Sequence, residues 1–116
     1  MGFELDRASA LSLWRNVTVT SVKAEEPDLT ARQLAVLMTV SLGNPPHTVR
    51  GLAGELNVGK PAITRALDTL SRYELVTRRR DPQDGRNVLI EKTPKGDVYL
   101  SGLGDMISRR AAELAR

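Results

Sequence analysis

A mainly α-helical fold with one small antiparallel β-hairpin is what this sequence predicts. Three observations lead there. Apolar residues recur at helical spacing in several segments. Two short β-branched stretches flank a run of arginines and turn formers. No repeat, low-complexity tract or linker divides the 116 residues, so 1–116 read as a single domain with one core.

Leu5, Ala8, Leu11, Trp14, Val17 and Val22 fall near a helical spacing, and Glu25, Glu26, Pro27 and Asp28 end that segment. The alternation Val17, Thr18, Val19, Thr20 would also suit a strand, but helix is the better reading. Thr30 followed by Gln33 has the form of a capping box, and Leu34, Leu37, Met38 and Leu42 then line one face of a second helix. Gly43, Asn44, Pro45 and Pro46 stop it. Thr48 caps a short third helix with Val49, Leu52, Ala53 and Leu56 inside, and Asn57, Val58 and Gly59 form a turn. A fourth helix starts at Lys60 and Pro61, where the missing N–H of proline costs little. Ile63, Ala66, Leu67 and Leu70 are its buried face. Residues 75–79 and 88–91 read as strands around the turn-rich stretch 80–87. A last helix opens at Thr93 and Pro94, with Tyr99, Leu103, Ile107, Ala111 and Leu114 as its stripe. Two short helices at a tight turn, followed by a hairpin, make a winged helix-turn-helix.

Composition narrows the function classes. No apolar run approaches the ~20 residues that span a bilayer. The first residues also show no basic segment leading into a short apolar stretch, so no membrane partner is expected. The absence of cysteine excludes disulfides, thiol oxidation and thiolate metal sites, and it fits a reducing, cytoplasmic setting. His47 is the lone histidine and reads as a loop residue, with no carboxylates beside it at ligand spacing. No nucleophile triad, paired-carboxylate motif or phosphate-cradling glycine loop is recognisable. Neither a metal, a cofactor nor an enzymatic activity is therefore expected. Trp14 and Tyr73 read as core or interface residues, and 3% aromatics is too few for a base-stacking platform.

The net charge of +3 says less than its distribution. Residues 1–47 hold four basic and five acidic side chains, whereas residues 60–95 hold nine basic and five acidic. Positive charge concentrated in one segment is expected of a face that meets phosphates. On the fourth helix, Lys60, Ala62, Thr64, Arg65, Asp68 and Thr69 lie off the apolar stripe or in the first turn. Residues so placed reach base edges when a helix enters the major groove. Arg65 could donate two hydrogen bonds to guanine, and Ala62 could touch a thymine methyl. Arg78, Arg79 and Arg80 climb one strand, and Arg86 follows the Asp84–Gly85 turn. An arginine on a narrow ribbon suits the minor groove, where the negative potential is deepest. Asp84 is expected to hold an arginine in place by a charge-assisted bond.

The stretch 48–96 resembles the DNA-binding core of the MarR family. The residues that carry the likeness are Leu52, Ala53, Gly54, Glu55 and Leu56, then Lys60, Pro61, Ala62, Ile63, Thr64 and Arg65. Leu70, Leu75, Val76, Thr77 and Arg78 continue it. The specific part is Asp81, Pro82, Gln83, Asp84, Gly85 and Arg86, followed by Thr93, Pro94, Lys95 and Gly96. The resemblance implies a homodimeric transcription regulator, most often a repressor, that reads inverted repeats in double-stranded DNA. It implies a recognition helix in the major groove and Arg86 in the minor groove. It further implies a DNA-binding core at about 30–93, with dimer-forming terminal helices at about 1–26 and 94–116. Many family members release DNA on binding a small molecule or on oxidation. Here thiol oxidation is excluded, and no residue pattern supports a small-molecule effector.

Four departures from the family pattern stand out. Ala62 replaces a usual Ser or Thr, Glu74 a usual glycine, and Lys92 a usually apolar residue. Only 23 residues follow Thr93, enough for one helix where the family has two. Gly102 and Gly104 either permit close helix contact there or mark a break. A winged helix serving as a protein-interaction module is the rival reading, which the net +3 leaves open.

Overall fold

The computed structural model describes residues 4–114. Its elements are α1 (Arg7–Lys23), α2 (Ala31–Leu42), β1 (His47–Thr48), α3 (Val49–Leu56), α4 (Lys60–Arg72), β2 (Val76–Arg80), β3 (Val88–Lys92) and α5 (Pro94–Leu114). They form two compact units, Leu29–Leu100 and residues 4–28 with 101–114.

In Leu29–Leu100 the helix ends follow local chemistry. Thr30 Oγ accepts from the Gln33 N–H at 3.1 Å, and the Gln33 side chain accepts from the Thr30 N–H at 2.9 Å, so the capping box is complete. Thr48 caps α3 through the Gly51 N–H at 3.0 Å. Helices α3 and α4 stop in the same way. Asn57 (φ 55°) and Glu74 (φ 63°) turn left-handed, and the next N–H reaches back five residues, Val58 to Ala53 and Leu75 to Leu70. Asparagine tolerates that geometry, whereas glutamate there costs about 1 kcal/mol relative to glycine.

The core joins Val36, Leu37 and Val40 of α2 to Leu52 and Ala53 of α3, to the full predicted face of α4, and to Leu75, Val76 and Ile90. Ile63, Leu67 and Leu70 are completely enclosed. The expected face of α2 needs correction. Leu37 is buried with Val36 and Val40, but Leu42 is 78% exposed, and Leu34 and Met38 are only half-buried. The helix is apolar on two sides, so periodicity alone could not choose which one meets α3 and α4.

The hairpin also gains a strand. β1 pairs with β3, giving an antiparallel sheet in the order β1-β3-β2 with His47 opposite Ile90 and Arg78 opposite Ile90 on the other edge. His47 is therefore a half-buried strand residue rather than a loop histidine. Two residues are too few to show a period.

The spacing Thr93 to Gly96 has a specific role. Thr93 Oγ donates to the Glu74 carbonyl at 2.8 Å and accepts from the Gly96 N–H at 2.9 Å, tying the start of α5 to the end of α4. Gly96 is buried against the Leu75 carbonyl oxygen, where a Cβ would collide.

In the unit of residues 4–28 and 101–114, α1 is capped by Asp6, whose carboxylate accepts from the Ser9 N–H at 2.7 Å. That bond holds the Asp6 carboxyl below its ordinary range. Thr18 and Ser21 donate to the carbonyls of Trp14 and Val17, so the strand-like alternation is absorbed into helix. Val17 is buried, but Leu11, Trp14 and Val22 are exposed, and Trp14 is not a core residue of the chain. Helix α5 runs unbroken through Gly102 and Gly104, and nothing lies within 4 Å of a Cβ built at either. Neither glycine marks a break.

Candidate nucleic-acid interface

Helices α3 and α4 meet around Ala53, 8% exposed, and Ile63, fully enclosed. This is the small contact and apolar lock that a helix-turn-helix requires. No side chain caps the N-terminus of α4, because Gly59 occupies the N-cap, and Pro61 lies in the first turn. Lys60, Thr64 and Arg65 are exposed on α4, while Ala62 and Thr69 are half-buried. The Thr69 hydroxyl donates to the Arg65 carbonyl at 3.4 Å, which occupies its proton within the helix.

The three arginines of β2 each find a partner inside the unit. Arg78 reaches across to α4 and pairs with Asp68 at 2.9 Å. Arg79 pairs with Glu91 at 2.7 Å, and the neighbouring carboxylate raises the already high pKa of its guanidinium. Arg80 donates to the Gly85 carbonyl at 2.6 Å. These contacts are exposed, so each adds little to stability, but each limits where the side chain points.

Asp81, Pro82, Gln83, Asp84, Gly85 and Arg86 build their own loop. Asp81 Oδ1 accepts from the Gln83 N–H at 2.8 Å, and Asp84 Oδ1 accepts from the Arg86 N–H at 3.1 Å. The Asn87 N–H returns to the Asp84 carbonyl, and the Asp81 N–H to the Asn87 carbonyl, both at 2.9 Å. The Arg86 guanidinium passes 3.3 Å from Asp84, yet the side chain is 92% exposed. Asp84 thus contacts an arginine in the way its chemistry suggested.

Sequence reasoning missed the partners of Arg78 and Arg79. A signal exists for the second pair. With Thr77 opposite Glu91, strand alternation puts Arg79 and Glu91 on one sheet face as diagonal neighbours. Nothing local signals that Asp68 meets Arg78, since that contact depends on how α4 packs beside the sheet. Tyr73 ends α4 and is 39% exposed, so it is not a core residue either. Among the described residues, no group of acidic or imidazole side chains could hold a metal ion. No described helix is long and apolar enough to cross a membrane.

The comparisons with known proteins agree on the fold. A mutant of S. aureus MepR bound to an oligodeoxyribonucleotide superposes with a TM-score of 0.75 at 21% identity, covering 97% of this chain and 83% of that one. The transcriptional repressor CouR bound to a 23-mer DNA duplex gives 0.70 at 24% identity, over 94% and 74%. The PcaV transcriptional regulator from Streptomyces coelicolor, in complex with its natural ligand, gives 0.66 at 25% identity, over 94% and 80%. No curated protein matches the sequence. The model of the MarR family matches residues 29–88, just over half of the chain, including all of α2, α3, α4 and the hairpin up to the start of β3. The chain belongs to the MarR family of DNA-binding transcription regulators.

Proposed function

We propose that the protein is a homodimeric repressor that binds an inverted repeat in double-stranded DNA, with α4 in the major groove and Arg86 in the minor groove. The observation that carries this reading is the contrast among the wing arginines. Arg78, Arg79 and Arg80 are held at 2.6–2.9 Å by partners within the unit, while Arg86, 3.3 Å from Asp84, keeps a side chain that is 92% exposed beyond the turn. An extended guanidinium on a narrow ribbon matches the width and potential of the minor groove. Lys60, Thr64 and Arg65 are the direct contacts from α4, with Ala62 against a thymine methyl and Thr69 at the edge of the footprint. Arg78, Arg79, Arg80 and Asp84 shape and charge the wing, and the remaining N–H groups of the arginines face phosphates.

MepR and CouR, both solved on DNA, support the partner, and CouR, named a repressor, supports the direction of control. The exposed residues Leu11, Trp14 and Val22 on α1 support a second copy, because an apolar stripe of this kind on a helix is suited to burial against another chain. The DNA-binding core is then 30–93 and the dimer-forming segments 1–26 and 94–116, in a cytoplasmic protein without catalytic activity.

Selection of bound sequences from a random duplex pool tests the reading. The expected result is an enriched inverted repeat with half-sites about one helical turn apart. Repeating the selection with Arg65→Ala should relax one base pair per half-site, worth about 1–3 kcal/mol for a bidentate contact. A uniform loss over all sequences would make Arg65 a phosphate contact. No enrichment at low salt would favour the protein-interaction module instead.

A further inference from the structure

Asp84 is the sole aspartate in the sequence that precedes a glycine. The pair stands at the tip of the hairpin. Asp84 Oδ1 accepts from the Arg86 N–H at 3.1 Å and from Arg86 Nε at 3.3 Å. Oδ2 makes no bond among the described residues, and neither does the Gly85 N–H. A side-chain bond to the N–H two residues on carries the carboxyl forward, over the intervening Gly85 amide. Gly85 is exposed and has no Cβ to hold that nitrogen away.

The other aspartates differ in ways that matter chemically. Asp81 precedes Pro82, whose nitrogen carries no hydrogen. Asp68, Asp97 and Asp105 lie inside α4 and α5, where the next N–H is engaged in the helix ladder. Asp6 and Asp28 precede Arg7 and Leu29, whose side chains crowd the nitrogen.

We propose that Asp84–Gly85 is a site of spontaneous isoaspartate formation, and that the change withdraws Arg86 from DNA. The Gly85 nitrogen adds to Asp84 Cγ, and Oδ1, held by two Arg86 donors, carries the negative charge that develops. The Cγ–Oδ2 bond then breaks. Oδ2 leaves as water, with the Gly85 amide proton and one proton from solvent, and a five-membered imide closes. Water then adds back. If the bond between the Gly85 nitrogen and the Asp84 main-chain carbonyl carbon opens, the chain runs through Cγ and a free α-carboxylate remains. Opening of the other bond restores aspartate. Mass and net charge do not change, and no oxidant is required.

This exchange alters the bonds that order the tip. The Asp84 carbonyl that accepts from the Asn87 N–H at 2.9 Å becomes a branch carboxylate, and the main chain gains one atom. The carboxyl that holds the Arg86 N–H becomes main chain. Arg86 therefore leaves the position that the turn gives it, and the age of the protein sets the strength of its minor-groove contact. The effect on DNA rests on the placement of Arg86 proposed above, whereas the chemistry does not.

The full chain, kept for weeks at neutral pH and physiological temperature in water enriched in heavy oxygen, tests this by peptide mapping with mass spectrometry. Each imide opening leaves one solvent oxygen in the chain. Label at Asp84, and an isomer resistant to an endoprotease that cuts before aspartate, should accumulate. The rate should exceed that at Asp68, Asp97 or Asp105 at least about tenfold, or 1.4 kcal/mol in the barrier. Gly85→Ala should slow it by a similar factor and keep the duplex affinity. The φ of Gly85 is not positive, and a Cβ there meets only Arg80 Cδ, at 3.7 Å. The isomerised protein, separated from the parent, should bind an A·T-flanked duplex as weakly as Arg86→Ala. Label at Asp84 no faster than at Asp68, or an equal rate in Gly85→Ala, would overturn the modification. Isomerised protein that binds like the parent, where Arg86→Ala binds more weakly, would overturn its effect on DNA. If Arg86→Ala also binds like the parent, the minor-groove reading fails together with that effect, while the isomer, measured without DNA, stands.

Discussion

Leu29–Leu100 encloses a core of twelve side chains drawn from three helices, two strands and the turn before β2. Residues 4–28 with 101–114 bury one apolar side chain, Val17, among those described, and expose Leu11, Trp14 and Val22 by 57–64%. Both units are largely helical, so the difference lies in what their apolar faces meet. The first satisfies its hydrophobic surface within the chain. The second presents it outward, as a surface assigned to a second copy would. Stability in the first should therefore depend on packing, and in the second on concentration.

Emptying a core position of Leu29–Leu100 should cost the most stability. Leu67→Ala, at a fully enclosed site, should lose about 2–5 kcal/mol in chemical denaturation, mainly through the cavity it leaves. A loss under about 1 kcal/mol would mean that the core is loosely packed. The next test addresses the other unit. Trp14→Glu should leave monomer folding intact and weaken self-association at least about tenfold, or 1.4 kcal/mol, in sedimentation equilibrium. An unchanged dimer would move the interface elsewhere. The smallest effect concerns the end of α4. Glu74→Gly should raise stability by about 1 kcal/mol by relieving the left-handed φ of 63°. The exposed Lys95 contact at 3.8 Å that it removes is worth little. A loss of stability would show that the Glu74 side chain matters more than its backbone.

Much of this architecture was legible in the sequence, for reasons that can be named. The α4 stripe Ile63, Ala66, Leu67 and Leu70 is apolar on one side only, so its period picks the buried face without ambiguity. The caps at Thr30 and Thr48 are local chemistry and need no tertiary information. Where the sequence has two apolar sides, as in α2, the choice depends on neighbours that a single segment does not reveal. β1 is too short for any period, and its pairing partner lies more than 40 residues away. The exposed face of α1 reads from sequence like an ordinary buried stripe, since periodicity reports what should be covered and not by which chain. At the candidate interface, charge located the arginines. Distinguishing Arg86 from Arg78 and Arg79 required Asp68 and Glu91, which come from other elements.

That distinction among arginines can be measured directly. Fluorescence anisotropy of a duplex carrying the selected repeat would be recorded between about 50 and 200 mM salt for the parent, Arg86→Ala and Arg79→Ala. Log affinity should fall steeply and linearly with log salt, with a slope near −0.9 for each phosphate neutralised. Arg86→Ala should weaken binding most on A·T-rich flanks, and Arg79→Ala, with its guanidinium engaged by Glu91, should weaken it much less. A flat salt response, or equal losses for the two variants, would contradict this expectation.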